Sequence, residues 1–486
     1  MKNSWIYFGI FQVFCASTLF GSPSYEEWLG QNQAQYQTYK KSLDEEFANG
    51  LKKEWEIFKS GYYENPYAKP KPKIVPKVEE QAKKKPQKTK ENLLKATLVP
   101  QKEIKPQDIG LPKQAQIEIP KITKTNNVNF EFFGSNIDIA YDDKFFADKQ
   151  SLKSSNDIAK FYEQISKTNY KHITSELEKI AKKLSLNDWG KFLLADKFAN
   201  EICKNDKNSS NAFTWFLLLK QNFDVKIALD DSKNIVLLGN FYQKLYQVSY
   251  ILINDKKYFV LNRDGKSAKI SSLLTYDVVY SKNLLAISSN IKYAIALEEN
   301  IVDKTLRFKY NSNEYNIKAK YNRNSIEFFK TFPQTDYKVY FDAEEPSYLN
   351  DLVLQLRNYI EEMDEVSAVN FLLRFTQTSF NYKTDTEQFS HEKVMLPEET
   401  IFYPFSDCED RSIMFSYLVK SILGLKVVGV KLNDHLATAV KLNTKIDGDS
   451  FLVDGERFYI ADPTYINANI GMIMPQYKNS KFLLIN

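Results

Sequence analysis

The stretch Asp407-Cys408-Glu409-Asp410-Arg411, followed by Ile413, Met414, Tyr417, Leu418 and Ile422, decides how the last third of this 486-residue chain is read. Those apolar positions recur at three- and four-residue steps, so one face of a helix is buried, and Gly424 supplies its stop. Asp407 suits the N-cap, which puts Cys408 at the start of the first turn. There the unpaired backbone N–H groups and the positive end of the helix dipole favour a thiolate. A backbone N–H at that position is also placed to donate to an oxyanion.

A thiolate nucleophile needs a base, and the chain holds 3 histidines: His172, His391 and His435. His435 follows the turn-forming pair Asn433-Asp434 and opens the apolar run Leu436-Ala437-Thr438-Ala439-Val440, which reads as a strand. Asp462 stands where a later strand, 456–461, meets Pro463. If the two strands pair antiparallel, the start of one lies beside the end of the other. The Asp462 carboxylate then reaches the imidazole, fixes its tautomer and stabilises the imidazolium. Taken singly, each residue also has an ordinary structural reading: a packed cysteine, a bystander histidine, a turn aspartate. Their order, at helix start, strand start and strand end, is what points to chemistry.

The run Asp407-Cys408-Glu409-Asp410, a strand over 425–432, His435 leading an apolar strand, and Ala461-Asp462-Pro463-Thr464 together resemble the transglutaminase-like superfamily. The resemblance covers 349–475 and implies a papain-like core with a Cys–His–Asp triad acting on amide bonds. It implies Cys408 as nucleophile, His435 as general base and acid, and Asp462 as the orienting carboxylate. Family members include cysteine peptidases, amide-processing enzymes, true transglutaminases and inactive relatives. Gln388 and Tyr403 are candidates for the family's oxyanion-supporting side chain, and Asp410 for a substrate contact. Glu409, Asp410 and Arg411 read equally well as acids offsetting the dipole and a locally paired cation. No cofactor is expected. No metal is expected either, because no second histidine or cysteine pair stands at ligand spacing.

Outward from this region, 346–486 reads as helices followed by a sheet, an α+β unit. Ahead of it, 276–345 alternates with period two in runs such as 315–321 and reads as a β-rich segment, a small antiparallel sheet or sandwich. The central region 127–275 shows helical periodicity over 156–183 and 186–203, a short apolar helix over 213–220 and strands from Val225 onward. This α/β order echoes the C-terminal one, with Asn208-Ser209-Ser210-Asn211 where Cys408 would stand. It reads either as a degenerate transglutaminase-like repeat or as one more helix followed by strands.

Between 64 and 126 lie nine of the chain's 16 prolines, among them Pro66, Pro76 and Pro120. From 66 to 125, fifteen lysines against six acidic residues give +9, so the rest of the protein carries −4 of the total +5. Proline fixes φ and like charges repel, so this is an extended linker. It reads as a solvated spacer or as a contact for anionic envelope polymers or a membrane surface. Nucleic acid is excluded as a partner, because the basic stretch lacks the aromatics that stack bases.

Residues 23–63 carry Tyr36, Tyr39, Leu43, Phe47, Leu51, Trp55 and Phe58 as the stripe of an amphipathic helix, 25–58. The stripe packs on the protein's own body, self-associates or docks on a partner. Residues 1–22 read as a signal peptide, with Lys2 before an apolar stretch and a cleavage point at Gly21-Ser22, or as an uncleaved anchor. Removal of this segment takes Cys15 and leaves Cys203 and Cys408, too few for a disulfide framework. The sequence therefore predicts an exported protein of the periplasm or cell envelope. Its expected activity is that of a cysteine hydrolase or acyltransferase on peptide or isopeptide amides through a thioester, hydrolysis favoured. The alternative is an inactive transglutaminase-like binding or assembly module.

Overall fold

The computed structural model describes residues 25–64, 76–78, 125–142, 151–204, 206–264 and 269–485. The expected signal peptide and all of the linker except 64, 76–78 and 125–126 lie outside the described residues. The architecture is α+β, several antiparallel sheets packed with helices.

Helix α1 (Tyr25–Leu51) is shorter than its periodicity suggests. Trp55 and Phe58 follow it, and Phe58 lies in strand β1 (Glu56–Lys59), which with β2 (Gly61–Tyr62) joins the central sheet. The C-terminal half of α1 packs on the protein's own body. Phe47 lies edge-on to Tyr162, Tyr276 and Tyr280, and the Trp55 Nε1–H donates to the Leu51 carbonyl at 3.0 Å. Asp44 pairs with Lys220, whose ammonium burial pushes down to about 8. A buried aromatic of this kind contributes roughly 1.5–3 kcal/mol, which makes α1 integral to the body.

The hairpin β3 (Thr125–Phe132) and β4 (Ser135–Asp142) comes next. Helices α2 (Ser155–Ser166), α3 (Tyr170–Lys183), α4 (Asp188–Ile202) and α5 (Lys207–Lys220) follow. Then come strands β5 (Val225–Leu229), β6 (Ile235–Asn240), β7 (Ser249–Ile253), β8 (Lys256–Val260) and β9 (Ser272–Thr275). The seven-stranded order is β1-β9-β5-β6-β8-β7-β2. Every pairing in it is antiparallel, so the central region is α+β and not α/β.

The segment expected to be β-rich contributes one hairpin, β10 (Ile301–Tyr310) with β11 (Asn313–Asn322), and then turns helical in α6 (Arg323–Lys330) and α7 (Tyr337–Phe341). The hairpin's buried face, Leu306, Phe308, Ile317 and Ala319, packs into the same hydrophobic cluster as the C-terminal helices. The C-terminal unit therefore begins before residue 346 and recruits this hairpin as a wall.

That unit continues through α8 (Asn350–Ile360), α9 (Glu365–Thr378), β12 (Asn381–Tyr382), α10 (Asp385–Phe389), α11 (Pro397–Phe402), β13 (Phe405–Ser406) and α12 (Cys408–Leu423). Gly424 ends α12 at φ +66°, the left-handed C-cap a side chain would strain. Strands β14 (Val427–Lys431), β15 (Leu436–Val440), β16 (Ser450–Val453), β17 (Glu456–Ala461) and β18 (Leu483–Ile485) form a sheet in the order β16-β17-β15-β14-β18. Asp454 and Gly455 turn β16 into β17 with φ of +49° and +80°, as a two-residue hairpin loop requires.

The two sheets share one plan. In chain order each contains the sequence fifth-first-second-fourth-third, β9-β5-β6-β8-β7 in one and β18-β14-β15-β17-β16 in the other. A long buried helix precedes each first strand, and each helix is latched to the second strand at the same point. Asn211 donates to the Ile235 carbonyl at 2.6 Å, and Ser412 donates to the Leu436 carbonyl at 3.0 Å. Counted from that latch, Lys207 and Asn234 occupy the positions of Cys408 and His435. Leu261 bonds Leu237 as Ala461 pairs with Thr438, which puts Asn262 at the position of Asp462. The central unit has no thiol, imidazole or carboxylate at these three positions.

Candidate functional site

Cys408 opens α12, and the turn around it is held by reciprocal capping. Asp410 reaches back to accept the Asp407 N–H at 3.0 Å, and its other oxygen accepts the Met395 N–H at 2.9 Å. Asp410 is fully buried with both oxygens on backbone amides, so it shapes the loop ahead of α12 and does not reach out to a substrate. Arg411 makes no local ion pair of the kind expected. Its guanidinium donates to the carbonyls of Phe380 and Gln377 and to the Ser406 hydroxyl, which ties α12 to the end of α9. Burial pushes it down to about 10, against the charges of Tyr382, Asp407, Asp410 and Cys408 that hold it up.

His435 lies immediately before β15. Strands β15 and β17 pair antiparallel, Thr438 opposite Ala461, so the residue before one and the residue after the other meet at the same sheet end. His435 Nε2 lies 2.8 Å from Asp462 Oδ2. The other Asp462 oxygen accepts the N–H groups of Thr464 at 2.9 Å and Tyr465 at 3.3 Å, which fixes the carboxylate. Burial alone would depress the His435 imidazole. The charge and hydrogen bond of Asp462, then the charges of Asp434 and Glu409, hold it above its ordinary value instead. The second ring nitrogen, Nδ1, is buried and has no hydrogen-bond partner.

Cys408, Glu409 and His435 line one small cavity of about 10 Å³ together with Tyr337, Asp434 and Leu436, which is room for roughly one water molecule. The Cys408 thiol is 1% exposed and donates to Glu409 Oε2 at 3.0 Å. Sulfur, imidazole and Asp462 carboxylate therefore gather at one end of the sheet, with the thiol hydrogen turned to Glu409. Gln388 and Tyr403 do not line this cavity. The Gln388 carboxamide is shielded and unpartnered on α10, and Tyr403 packs edge-on against Phe389 and Phe402.

Two residues that the sequence reading did not single out complete the site. Tyr477 stacks on the His435 ring at 5.5 Å and 10°, with its hydroxyl donating to Asp434 at 2.9 Å. Gln377, buried in α9, turns its amide nitrogen to the carbonyls of Asp462, Tyr465 and Ala468 at 2.8–3.1 Å. It thereby fixes the loop that carries Asp462. The signal for Gln377 was a polar residue on the buried face of an otherwise apolar helix. For Tyr477, far along the chain in an irregular segment, there was none.

Donor atoms of Asp407, Cys408 and Glu409 lie within 4.8 Å of one another, as do those of Asp385 with Glu392 and Glu409 and of Asp385 with Asp407 and Asp410. Asp385 accepts the Lys393 N–H at 2.8 Å and Asp410 accepts two backbone amides, so these acids already serve the fold. We assign no ion to them. A larger groove of about 950 Å³ opens beside α1, but its lining contains neither histidine nor cysteine. Among the described residues no helix is long and apolar enough to cross a membrane. No protein-family model, curated protein or solved structure matches the chain at a significant level.

Proposed function

We propose that the C-terminal unit is a transglutaminase-like cysteine domain that cleaves or transfers peptide or isopeptide amides through a thioester on Cys408. The observation that carries this reading is the Asp462-paired His435, its buried Nδ1 without a hydrogen-bond partner, in the same cavity as a thiol at a helix N-terminus. In the reaction, His435 Nδ1 takes the thiol proton and the sulfur attacks the carbonyl carbon. Backbone N–H groups at the start of α12 receive the oxyanion. His435 then gives its proton to the leaving amine as the C–N bond breaks. Water attacks the thioester carbonyl as its proton passes to His435, the C–S bond breaks to release the acid, and His435 returns the proton to the sulfur. An amine in place of water gives cross-linking, and hydrolysis is the favoured outcome. Asp462 keeps the imidazolium oriented throughout.

We place this activity in the cell envelope of an exported protein, on protein or peptide substrates. The central unit is its repeat without the chemistry, with Lys207, Asn234 and Asn262 at the three positions. A second reading, an inactive binding or assembly module, draws on the burial of the thiol and its turn toward Glu409.

The test is to incubate the protein with envelope-derived peptides, quench in acid and search Cys408 for an acyl adduct by mass spectrometry. The enzyme reading expects an adduct that is absent in Cys408→Ala and accumulates in slow-turnover variants. Peptides that bind with no adduct or cleavage in any variant support the inactive module.

A further inference from the structure

Cys408 has two potential partners in its cavity, and it is bonded to the one that opposes chemistry. Its thiol donates to Glu409 Oε2 at 3.0 Å, whereas His435 Nδ1, buried in the same cavity, has no partner. We propose that Glu409 is a positioning residue that parks the Cys408 thiol in a protonated resting state, and that activation is a turn of the sulfur from Glu409 to His435 Nδ1. This rests on the cysteine-hydrolase reading above.

The physical reason is charge. A carboxylate beside a thiol disfavours the thiolate, because two negative groups would share a dry cavity. Turning the sulfur away breaks the S–H bond and forms an N–H bond at Nδ1. The product is a thiolate facing an imidazolium whose other nitrogen is bonded to Asp462. No oxidant or co-reactant is needed. The occupant that drives the turn is the substrate carbonyl, which needs the sulfur on the imidazole side. A peptide cannot enter a cavity of about 10 Å³, so the turn accompanies an opening of the cavity wall, to which Tyr337 contributes.

Other charges act on the sulfur from every side and set the background. Asp407, Asp410 and Arg411 share its helix, and Arg411 opposes the acids. Lys431, Asp434 and His435 face it from the β14–β15 hairpin, and Asp462 stands behind the imidazole. Asp385 and Glu392 crowd Glu409 from the α10 side. The Tyr477 hydroxyl is held above its ordinary range by burial, then by Asp434, with Cys408 and Asp462 adding to it. The thiol is hydrogen-bonded to Glu409 at 3.0 Å.

The experiment is the pH profile of Cys408 alkylation by iodoacetamide, read by mass spectrometry, in the full chain and in Glu409→Gln, Glu409→Asp and His435→Ala. Gln keeps the shape and removes the charge, so the alkylation onset should move about one unit down and the rate at pH 6 should rise about tenfold. Asp keeps the charge and should leave the onset near that of the native protein. A purely structural Glu409 would alter the rate in both variants without moving the onset, and that result overturns the proposal. An onset unmoved in Glu409→Gln, with alkylation still dependent on His435, sinks the parking role and leaves the cysteine–histidine pair standing. Alkylation indifferent to His435→Ala removes the pair and the parking role together. Should Glu409→Gln not fold, the proposal falls to the Asp variant, in which an onset shifted by a unit or more contradicts it.

Discussion

Ser412 donates a hydrogen bond to the carbonyl of Leu436 at 3.0 Å, and both groups are fully buried. Ser412 stands one helical turn after Cys408 and Leu436 one residue after His435, so this link sets the distance between the two. Replacing Ser412 with Ala leaves a buried carbonyl unsatisfied and should cost about 1–3 kcal/mol. Urea unfolding measures that loss. Cys408 alkylation in the same variant should slow where the native contact between α12 and β15 matters, and an unchanged rate would show that the latch does not position the thiol.

Gln377 is the next test of positioning. Its amide nitrogen serves three carbonyls of the Asp462 loop and its oxygen accepts the Asn467 N–H at 3.1 Å. Gln377→Leu keeps the volume and removes every one of these bonds. The expected loss is about 3 kcal/mol or more, from several buried groups left unpaired. Hydrogen exchange at 464–468 should accelerate before the rest of the protein opens, and uniform exchange across the chain would speak against a local clamp.

The imidazole sets a pH dependence. His435 is held above its ordinary value in the fold, chiefly by the Asp462 charge acting against burial. A raised folded-state value means that the pair's stability is complete below the unfolded value of about 6.5 and is lost as pH rises through the folded value. The native protein should therefore exceed Asp462→Asn in stability by the most near pH 5 to 6, with the gap narrowing toward pH 9. Denaturant titrations at several pH values check this, and a gap that widens with pH reverses the sign and contradicts the pairing.

Much of this site was legible in the sequence because its signals are local. The period of Ile413, Met414 and Leu418 marked the helix, Asp407 marked its start, and Asn433-Asp434 and Pro463 marked the ends of the strands that carry His435 and Asp462. Residues whose roles depend on distant parts of the chain were not legible. Trp55 and Phe58 kept the helical step of α1, yet the pairing of β1 with β9 took Phe58 into a sheet. The alternation over 315–321 was real but belonged to a single hairpin, and its core face was claimed by α8 and α9. The preference of the thiol for Glu409 is a side-chain rotation, which spacing does not encode.

Part of the basic linker is docked. Val78 N–H donates to the Ile466 carbonyl at 2.9 Å, Ile466 N–H donates to the Pro76 carbonyl at 3.0 Å, and Asn467 Nδ2 donates to the Val78 carbonyl at 3.0 Å. The Val78 side chain packs on the cluster that contains Tyr465 and Tyr477. Val78→Asp places a charge there and should release the segment, raising exchange at the Val78-position and Ile466 amides about tenfold or more for each ~1.4 kcal/mol lost. Native protection in the variant would mean that main-chain bonds alone hold the strap.

The most direct measurement compares the two cysteines in one tube. Cys203 is a built-in control, a buried thiol that desolvation pushes up to about 12. At pH 7, with iodoacetamide limiting, Cys408 should be carboxamidomethylated at least about tenfold faster than Cys203, because each time its sulfur turns from Glu409 to His435 the imidazole and the helix start stabilise the thiolate. That advantage should vanish in His435→Ala. Equal, slow labelling of both cysteines in the native protein, unchanged by the histidine substitution, would contradict a nucleophilic Cys408.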